Sequence, residues 1–247
     1  WVLANRETGG VNGNLYVGLE DFEEAAFLLH FLRPGDVFVD VGANVGAYTL
    51  LASGICKAKT IAIEPIPDTW KLLMENIRIN ALDSLVDAHQ VGIGSACGNL
   101  FFTVDLGTMN RVATADEVRN KPQRVVQIPV TTLDNVVGGR LPALIKIDVE
   151  GYEAHVLRGA GTTLSCRALK AVIIELYYDE RCDLEEVDRM LRRQDFSPVR
   201  YDPFCRRFLA LEGFRTDQFN TLYLRDLDAV ELRVQSAPYI DIFGINL

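Results

Sequence analysis

A chain of 247 residues with 49% hydrophobic and 24% charged residues can bury one large α/β core, and its balance is that of an ordinary soluble protein. Its formal charge of −9 argues against a nucleic-acid partner, because phosphate binding needs a basic surface, and no apolar run approaches the roughly 18 residues that span a bilayer. Five scattered cysteines, Cys56, Cys97, Cys166, Cys182 and Cys205, lack C-x-x-C or His-paired spacing, which argues against zinc and reads as free thiols in a reducing cytoplasm.

The opening WVLANRETGG has no basic region followed by a cleavable apolar stretch, so no export signal is visible, and it lacks an initiator Met, so the natural start is expected upstream. Residues 1–19 are polar and glycine-rich and read as an irregular arm. Residues 20–32, EDFEEAAFLLHFL, predict an amphipathic helix with acids in its first turn, ended by Pro34-Gly35. Val37, Phe38, Val39 and Val41 then make a short buried strand, residues 42–46 a glycine turn, and 45–56 a helix. KTIAIEP (59–65) is the second strand, and 66–81 a crossover helix with Trp70, Leu73 and Ile77 on its packed face. Residues 86–94 predict a third strand and 100–105 an added one. Residues 106–124, rich in turn-formers and charge, predict a surface loop over the site.

VVQIPVTTL (125–133) is another strand, with Thr132 to Asp134 opening a helical turn. ALIKIDVEGYE (143–153) predicts the fourth core strand and its exit, 152–164 a helix, 170–178 the fifth core strand, and 184–196 an amphipathic helix. The stretches 198–202, 206–211 and 220–225 predict the terminal strands. This alternation predicts a doubly wound, mostly parallel α/β sheet in a single domain over 1–247: arm and helix 1–35, cofactor-binding core 36–225, C-terminal extension 226–247.

In such sheets ligands bind beyond the carboxyl ends of the strands, which selects Asp40 with 42–46, Glu64, 92–95, 148–151 and 175–178 as one rim. The turn decides the ligand. A dinucleotide needs G-x-G-x-x-G for close approach of the pyrophosphate, whereas here Asn44 stands at the second glycine and Asp40 would repel a diphosphate. Asp40 would instead attract an ammonium, which S-adenosylmethionine carries, and Glu64 about 20 residues on can accept ribose hydroxyls. The alternative is an ordinary βα turn. Candidate cofactor residues are Asp40, Gly42, Ala43, Asn44, Gly46, Thr49, Glu64, Pro65, Gly92 and Asp148.

Asp148 and Glu150 flank Val149 where the fourth strand ends, and alternation would put both carboxylates on one side. A carboxylate there can stabilise a sulfonium or take the proton of an attacking hydroxyl; the competing reading is a cap or an orienting group. His155, in the next helix, is a third catalytic candidate, while His30 and His89 read as structural. Lys146 precedes Asp148 by two on a buried strand and is placed to pair with a carboxylate. Glu175, Tyr177 and Tyr178 are candidates to line the pocket of the methyl acceptor, with core packing the plainer reading for one of the tyrosines. No metal site is predicted; a divalent cation on Asp148, Glu150 and Glu175 is the minority alternative. Arg189, Arg192, Arg193, Arg206 and Arg207 could form a local basic patch, although solvated faces are the simpler account.

With these residues assembled, the chain resembles the FkbM family of methyltransferases over roughly residues 15–245. The resemblance rests on DVFVDVGANVGAYTLLAS, IAIEPIPDTWKLLMENIRINAL, VTTLDNV, IKIDVEGYEAHVLRGA and AVIIELYY, the ID-x-EG-x-E box joined to the GAN-x-G turn being the specific part. It implies a Rossmann-like sheet of seven core strands, the last antiparallel, plus added strands. It also implies S-adenosylmethionine-dependent O-methylation of a small hydroxylated acceptor, a sugar, natural product or glycolipid intermediate. Family cofactor positions fall on Asp40, Gly42, Asn44, Gly46 and Glu64, with Asp148 near the methyl group. Two other functions compete: N-methylation of nucleic-acid bases, disfavoured because Asp148, Val149, Glu150 and Gly151 stand where an N/D-P-P-Y/F strand end would, and a non-catalytic or regulatory protein that binds S-adenosylmethionine. Apolar residues near the arm and at 239–247 are candidates for a homodimer contact.

Overall fold

β-branched and aromatic side chains with two faces to bury make Val37–Val41 the centre of the structure. The computed structural model describes residues 2, 21–176, 183–242 and 245–246. In chain order its elements are α1 (Phe22–Phe31), β1 (Val37–Val41), α2 (Ala47–Leu50) continued by a π-turn over Leu51–Ile55, β2 (Lys59–Ile63), α3 (Pro67–Ile79), β3 (Val86–His89), β4 (Gly92–Ile93) and β5 (Gly98–Thr103). Then come a 3-10 turn over Gly107–Met109, α4 (Ala115–Asn120), β6 (Val125–Thr131), α5 (Leu133–Val137), β7 (Pro142–Ile147), α6 (Glu153–Arg158) and α7 (Gly161–Ser165). The chain continues through β8 (Ala171–Glu175), α8 (Leu184–Arg192), β9 (Ser197–Asp202), β10 (Arg207–Ala210), β11 (Asn220–Leu224) and α9 (Leu227–Gln235), followed by the short pair β12 (Asp241–Ile242) and β13 (Ile245–Asn246).

The main sheet has the order β10-β9-β11-β8-β7-β1-β2-β3. β3, β2, β1, β7 and β8 are parallel, β11 runs antiparallel between β8 and β9, and β10 folds back on β9 at the edge. This is the expected doubly wound sheet with its antiparallel last strand; β10 is the added edge. The order reverses between β7-β1 and β1-β2, so the switch point lies at the carboxyl end of β1. Alternation along the strands sends Phe38, Leu144, Ile173 and Leu222 to the face covered by α1 and α9, and Val39, Ile145, Val172 and Tyr223 to the face covered by α5, α6 and α8.

Several elements differ from the sequence reading for identifiable reasons. The strand expected over 86–94 divides: Val86–His89 joins the main sheet, while Gly92–Ile93 pairs with β6 in a three-stranded sheet with β5. Gly92 leaves room there for the Phe102 ring, whose tip would lie 2.9 Å from a Cβ and would have to shift to admit one. The helix over 45–56 widens after Leu50, and Ser53 turns inward to bond the Ala58 carbonyl and the Thr60 hydroxyl. Residues 106–124 are not irregular: α4 sits in their middle behind a capping box in which Thr114 and Glu117 bond each other's backbone N–H. Residues 152–164 form two helices because the Asp134 carboxylate accepts from Thr162 N and Thr163 N and starts α7 afresh. The extension 226–247 contains α9, locked to α1 where Arg233 Nε donates to Phe31 O at 2.7 Å and Arg33 Nη2 to Arg233 O at 2.8 Å. Arg206, a basic-patch candidate, is buried and bonds carbonyls of that extension.

Arg225 closes the far end of β11. Its guanidinium donates to the carbonyls of Leu169, Leu164, Cys166 and Gln194 and stacks 4.2 Å from the Phe196 ring centre. Arg225→Ala leaves several buried carbonyls without a donor and should cost about 3 kcal/mol, read as a lower urea midpoint at unchanged slope. Arg225→Lys should recover little of it, because an ammonium cannot reproduce the planar fork.

Candidate active site

Strand register assembles the site. Asp40 on β1 lies beside Lys146 on β7, and Glu175 on β8 lies opposite Asn220 on β11. All four sit on the α1 side, Asp40, Lys146 and Glu175 at or near the carboxyl ends of their parallel strands and Asn220 at the amino end of antiparallel β11, which meets them there. α1 itself begins there with Asp21, whose carboxylate accepts from the Tyr48 hydroxyl at 3.2 Å. Gly42 and Ala43 N–H both bond the Ile63 carbonyl, and Asp148 N–H bonds the Val41 carbonyl, so the loops leaving β1, β2 and β7 are stitched together. Gly42 has φ 81°, and a Cβ on it would stand 1.8 Å from the Asp148 carbonyl oxygen. No other residue type fits.

The second loop is held from behind. Glu153, buried at the start of α6, accepts from Val149 N at 3.3 Å and Gly151 N at 3.1 Å, which fixes the turn carrying Glu150 at φ 54°. The turn, rather than strand alternation, brings the Glu150 and Asp148 carboxylates together. Glu64 is similarly bracketed: Oε2 accepts from Asn44 N at 3.0 Å and Oε1 from Ile66 N at 2.8 Å. Each oxygen keeps a further lone pair for a ligand hydroxyl.

The charges are set by burial and by one cation. Burial raises the Asp40 carboxyl against the pull of Lys146 and a 2.6 Å hydrogen bond from Thr49 Oγ1. Burial likewise pushes Glu64 up to about 7, against its two backbone donors. Lys146 is 4% exposed and pairs with Asp148 Oδ2 at 2.6 Å; burial opposes its charge, but Asp148 and Asp40 hold the ammonium above its usual range. Burial also opposes ionisation of Asp148, and Lys146 together with a hydrogen bond from Glu175 outweighs it, so that carboxyl lies below its usual range. Glu175 is pushed up to about 10 by burial and the neighbouring Asp148 charge. The two act as a pair that shares a proton.

These groups line a cavity of about 280 Å³. Of the cofactor candidates, Asp40, Gly42, Ala43, Asn44, Glu64, Pro65 and Asp148 line it, as do Glu150 and Glu175. Gly46 and Thr49 stand behind the wall, Gly92 beneath Phe102, and His155 off the cavity, stacked on Tyr152 at 4.1 Å with its ring pKa lowered by burial and Arg158. Tyr177 and Tyr178 lie outside the described residues. Sequence reading missed Asp21, Tyr48, Thr69, Phe102, Arg111 and Asn220, all cavity-lining. Only Arg111 carried a local signal, the capping-box Glu117 it grips through both guanidinium nitrogens at 2.9 Å.

A parallel sheet with a switch point at β1, an antiparallel inserted strand and an acidic carboxyl-end cavity define the class of Rossmann-like methyltransferases. The FkbM-type structure from Methylobacillus flagellatus shares this fold at a TM-score of 0.54 with 18% identity, covering 90% of this chain, which spans 56% of that longer one. Residues 40–198 match the FkbM methyltransferase domain, and the chain belongs to that family. It is similar to the hexuronic acid methyltransferase AglP of Haloferax volcanii, 28% identical over 175 residues covering 69% of this chain and 67% of AglP. It is also similar to the 31-O-demethyl-FK506 methyltransferase FkbM of Streptomyces tacrolimicus, 29% identical over 214 residues covering 73% and 80%.

Gly42→Ala should destabilise the fold by more than about 2 kcal/mol in chemical denaturation, since it combines a left-handed backbone with a backbone clash. The pH dependence has a defined sign. Between pH 4.5 and about 7 the native chain keeps a proton on Glu64 that the unfolded chain has lost, so stability falls as pH rises through that window, and Glu175, raised to about 10, continues the fall above it. Glu24, also raised to about 7 by burial, adds in the same direction. The melting temperature should therefore drop from pH 5 to 7.5, and Glu64→Gln should flatten part of the drop.

Proposed function

We propose that the protein is an S-adenosylmethionine-dependent O-methyltransferase acting on a small hydroxylated acceptor, a sugar or natural-product intermediate. The supporting observation is a cavity with two unlike parts. The β1 turn, Glu64 and Asp40 form one part, and Asp148, which meets that turn at Gly42, forms the other with Glu150, Glu175 and Asn220. The residues fit S-adenosylmethionine. Buried Asp40 and the acidic rim favour a cationic ligand, Gly42 leaves bare backbone at the turn, and Glu64 has lone pairs for ribose hydroxyls. When bound, that cofactor supplies an electrophilic methyl group on a sulfonium. The residues of this chain orient the acceptor oxygen, exclude water beneath Phe102 and Arg111, and receive the hydroxyl proton on the Asp148 carboxylate as the C–O bond forms. Lys146 keeps Asp148 ionised and aimed at the cavity.

The names of the two relatives, one a hexuronic acid methyltransferase and the other a 31-O-demethyl-FK506 methyltransferase, support a sugar or natural-product hydroxyl as acceptor. Free Cys56, Cys97, Cys166 and Cys205 support a reducing, cytoplasmic setting as part of the same reading. Among the described residues no helix is long and apolar enough to cross a membrane.

The experiment is incubation with methyl-labelled S-adenosylmethionine and a panel of neutral sugars, uronic acids and macrocyclic polyols, reading label transfer to oxygen by NMR. Binding of the cofactor without transfer to any of them would favour the non-catalytic reading. Glu64→Ala should weaken cofactor binding about 10- to 100-fold by calorimetry, the loss expected for hydrogen bonds to a charged acceptor. Asp148→Asn should lower turnover by about 100-fold or more while cofactor affinity stays within about threefold.

A further inference from the structure

We propose that Asp148, Glu150, Glu175 and the amide oxygen of Asn220 bind one hard divalent cation, Mg²⁺, Mn²⁺ or Ca²⁺, in the part of the cavity formed where β7, β8 and β11 meet. Ligand-capable oxygens of the three carboxylates all lie within 4.8 Å of one another. Ligands on opposite sides of one ion stand two bond lengths apart, about 4.2 Å for Mg²⁺ and about 4.6–5.2 Å for Ca²⁺, so a single ion fits between them. Lys146 occupies Oδ2 of Asp148, and a cation between the carboxylates would take the place of the proton that Asp148 shares with Glu175.

The second observation is independent of the acidic cluster. Asn220 is 5% exposed, lines the cavity, and its Oδ1 has no hydrogen-bond partner. Its amide also lies near the Asp21 carboxylate, whose charge it favours, which suits the N–H on that side. Asn220 is paired with Glu175 across β11 and β8, so the two side chains lie next to each other on one face. Oε2 of Glu175 is likewise buried without a partner. Two neighbouring buried acceptor atoms beside two further carboxylates need a donor or a cation.

Every candidate ligand is oxygen, and no histidine or cysteine lines the cavity among the described residues, which selects a hard cation over zinc. Three carboxylates and one amide leave coordination positions open toward the cavity. Vicinal hydroxyls of a methyl acceptor can take them, which would hold one oxygen in line for attack and favour its deprotonation. This role rests on the methyl-transfer reading; the binding of the cation does not.

Mn²⁺ alone is the probe, titrated into the full chain with and without S-adenosylhomocysteine and read by electron paramagnetic resonance of the free ion. One Mn²⁺ per chain is expected, competed by Mg²⁺ and weakened by about tenfold or more in Glu150→Gln and in Glu175→Gln, with the surface variant Asp228→Asn unchanged. Circular dichroism checks folding; if Glu175→Gln does not fold, Glu150→Gln, on the turn, decides alone. The absence of a stoichiometric site, or equal Mn²⁺ binding by wild type and the folded variants, overturns the proposal. Calorimetry of the wild-type chain with S-adenosylhomocysteine separates the two readings: no cofactor binding counts against methyl transfer, and no Mn²⁺ binding by wild type counts against the cation site.

Discussion

The ammonium of Lys146 is held between Asp40 in the neighbouring strand and Asp148 two residues on, with its Nζ 4.8 Å from the centre of the Tyr48 ring. Asp21, Asp40, Glu64, Asp148, Glu150 and Glu175 all face one cavity, and among the described lining residues the only other cation, Arg111, is already engaged by Glu117. Carboxylates gathered at this density repel one another and lose hydration. A buried cation at their centre offsets part of that repulsion, holding the Asp148 carboxyl below its usual range while burial and Asp148 hold Glu175 above it. The acidic start of α1 docks at the same rim on similar terms: Arg215, itself buried, pairs with Glu23 and Glu24.

Rigid backbone backs this electrostatic arrangement. The β1 and β7 loops touch at Gly42 and Asp148, Glu153 braces the β7 exit from below, and Asn76 of α3 ties down the β1 turn through the Val45 carbonyl at 2.8 Å. Side chains set on such loops can hold a reacting geometry without being ordered at the moment of reaction. The opposite side of the cavity is built differently. Phe102, Gly107, Thr108, Asn110 and Arg111 reach it from the small sheet and the segment after β5, outside the parallel core. Loops and added segments of this kind can change without disturbing a packed core, because they carry few of its buried contacts.

Much of this was legible in the chain. The alternation of short β-branched runs with amphipathic helices specifies a parallel doubly wound sheet, because no other layering buries strands that are apolar on both faces. The GAN-x-G turn, Glu64 and the ID-x-EG-x-E box mark the rim, since a turn at a strand end is a local event and its glycines and carboxylates are adjacent in sequence. Short helices were harder. α4 and α9 carry little periodicity over six and nine residues, and only the Thr114–Glu117 capping pair announced the first.

What the sequence determined by itself is therefore the class of sheet, the order of its loops and the carboxylates at the strand ends, all properties of neighbours along the chain. Tertiary structure alone decided that Asn220, Asp21 and Phe102 join Glu175 and Asp148 at one cavity and that His155 does not. Those meetings depend on β11 inserting antiparallel beside β8 and on α1 folding across the rim. Such pairings are set by burial of whole faces between segments far apart in sequence, and no local pattern encodes them.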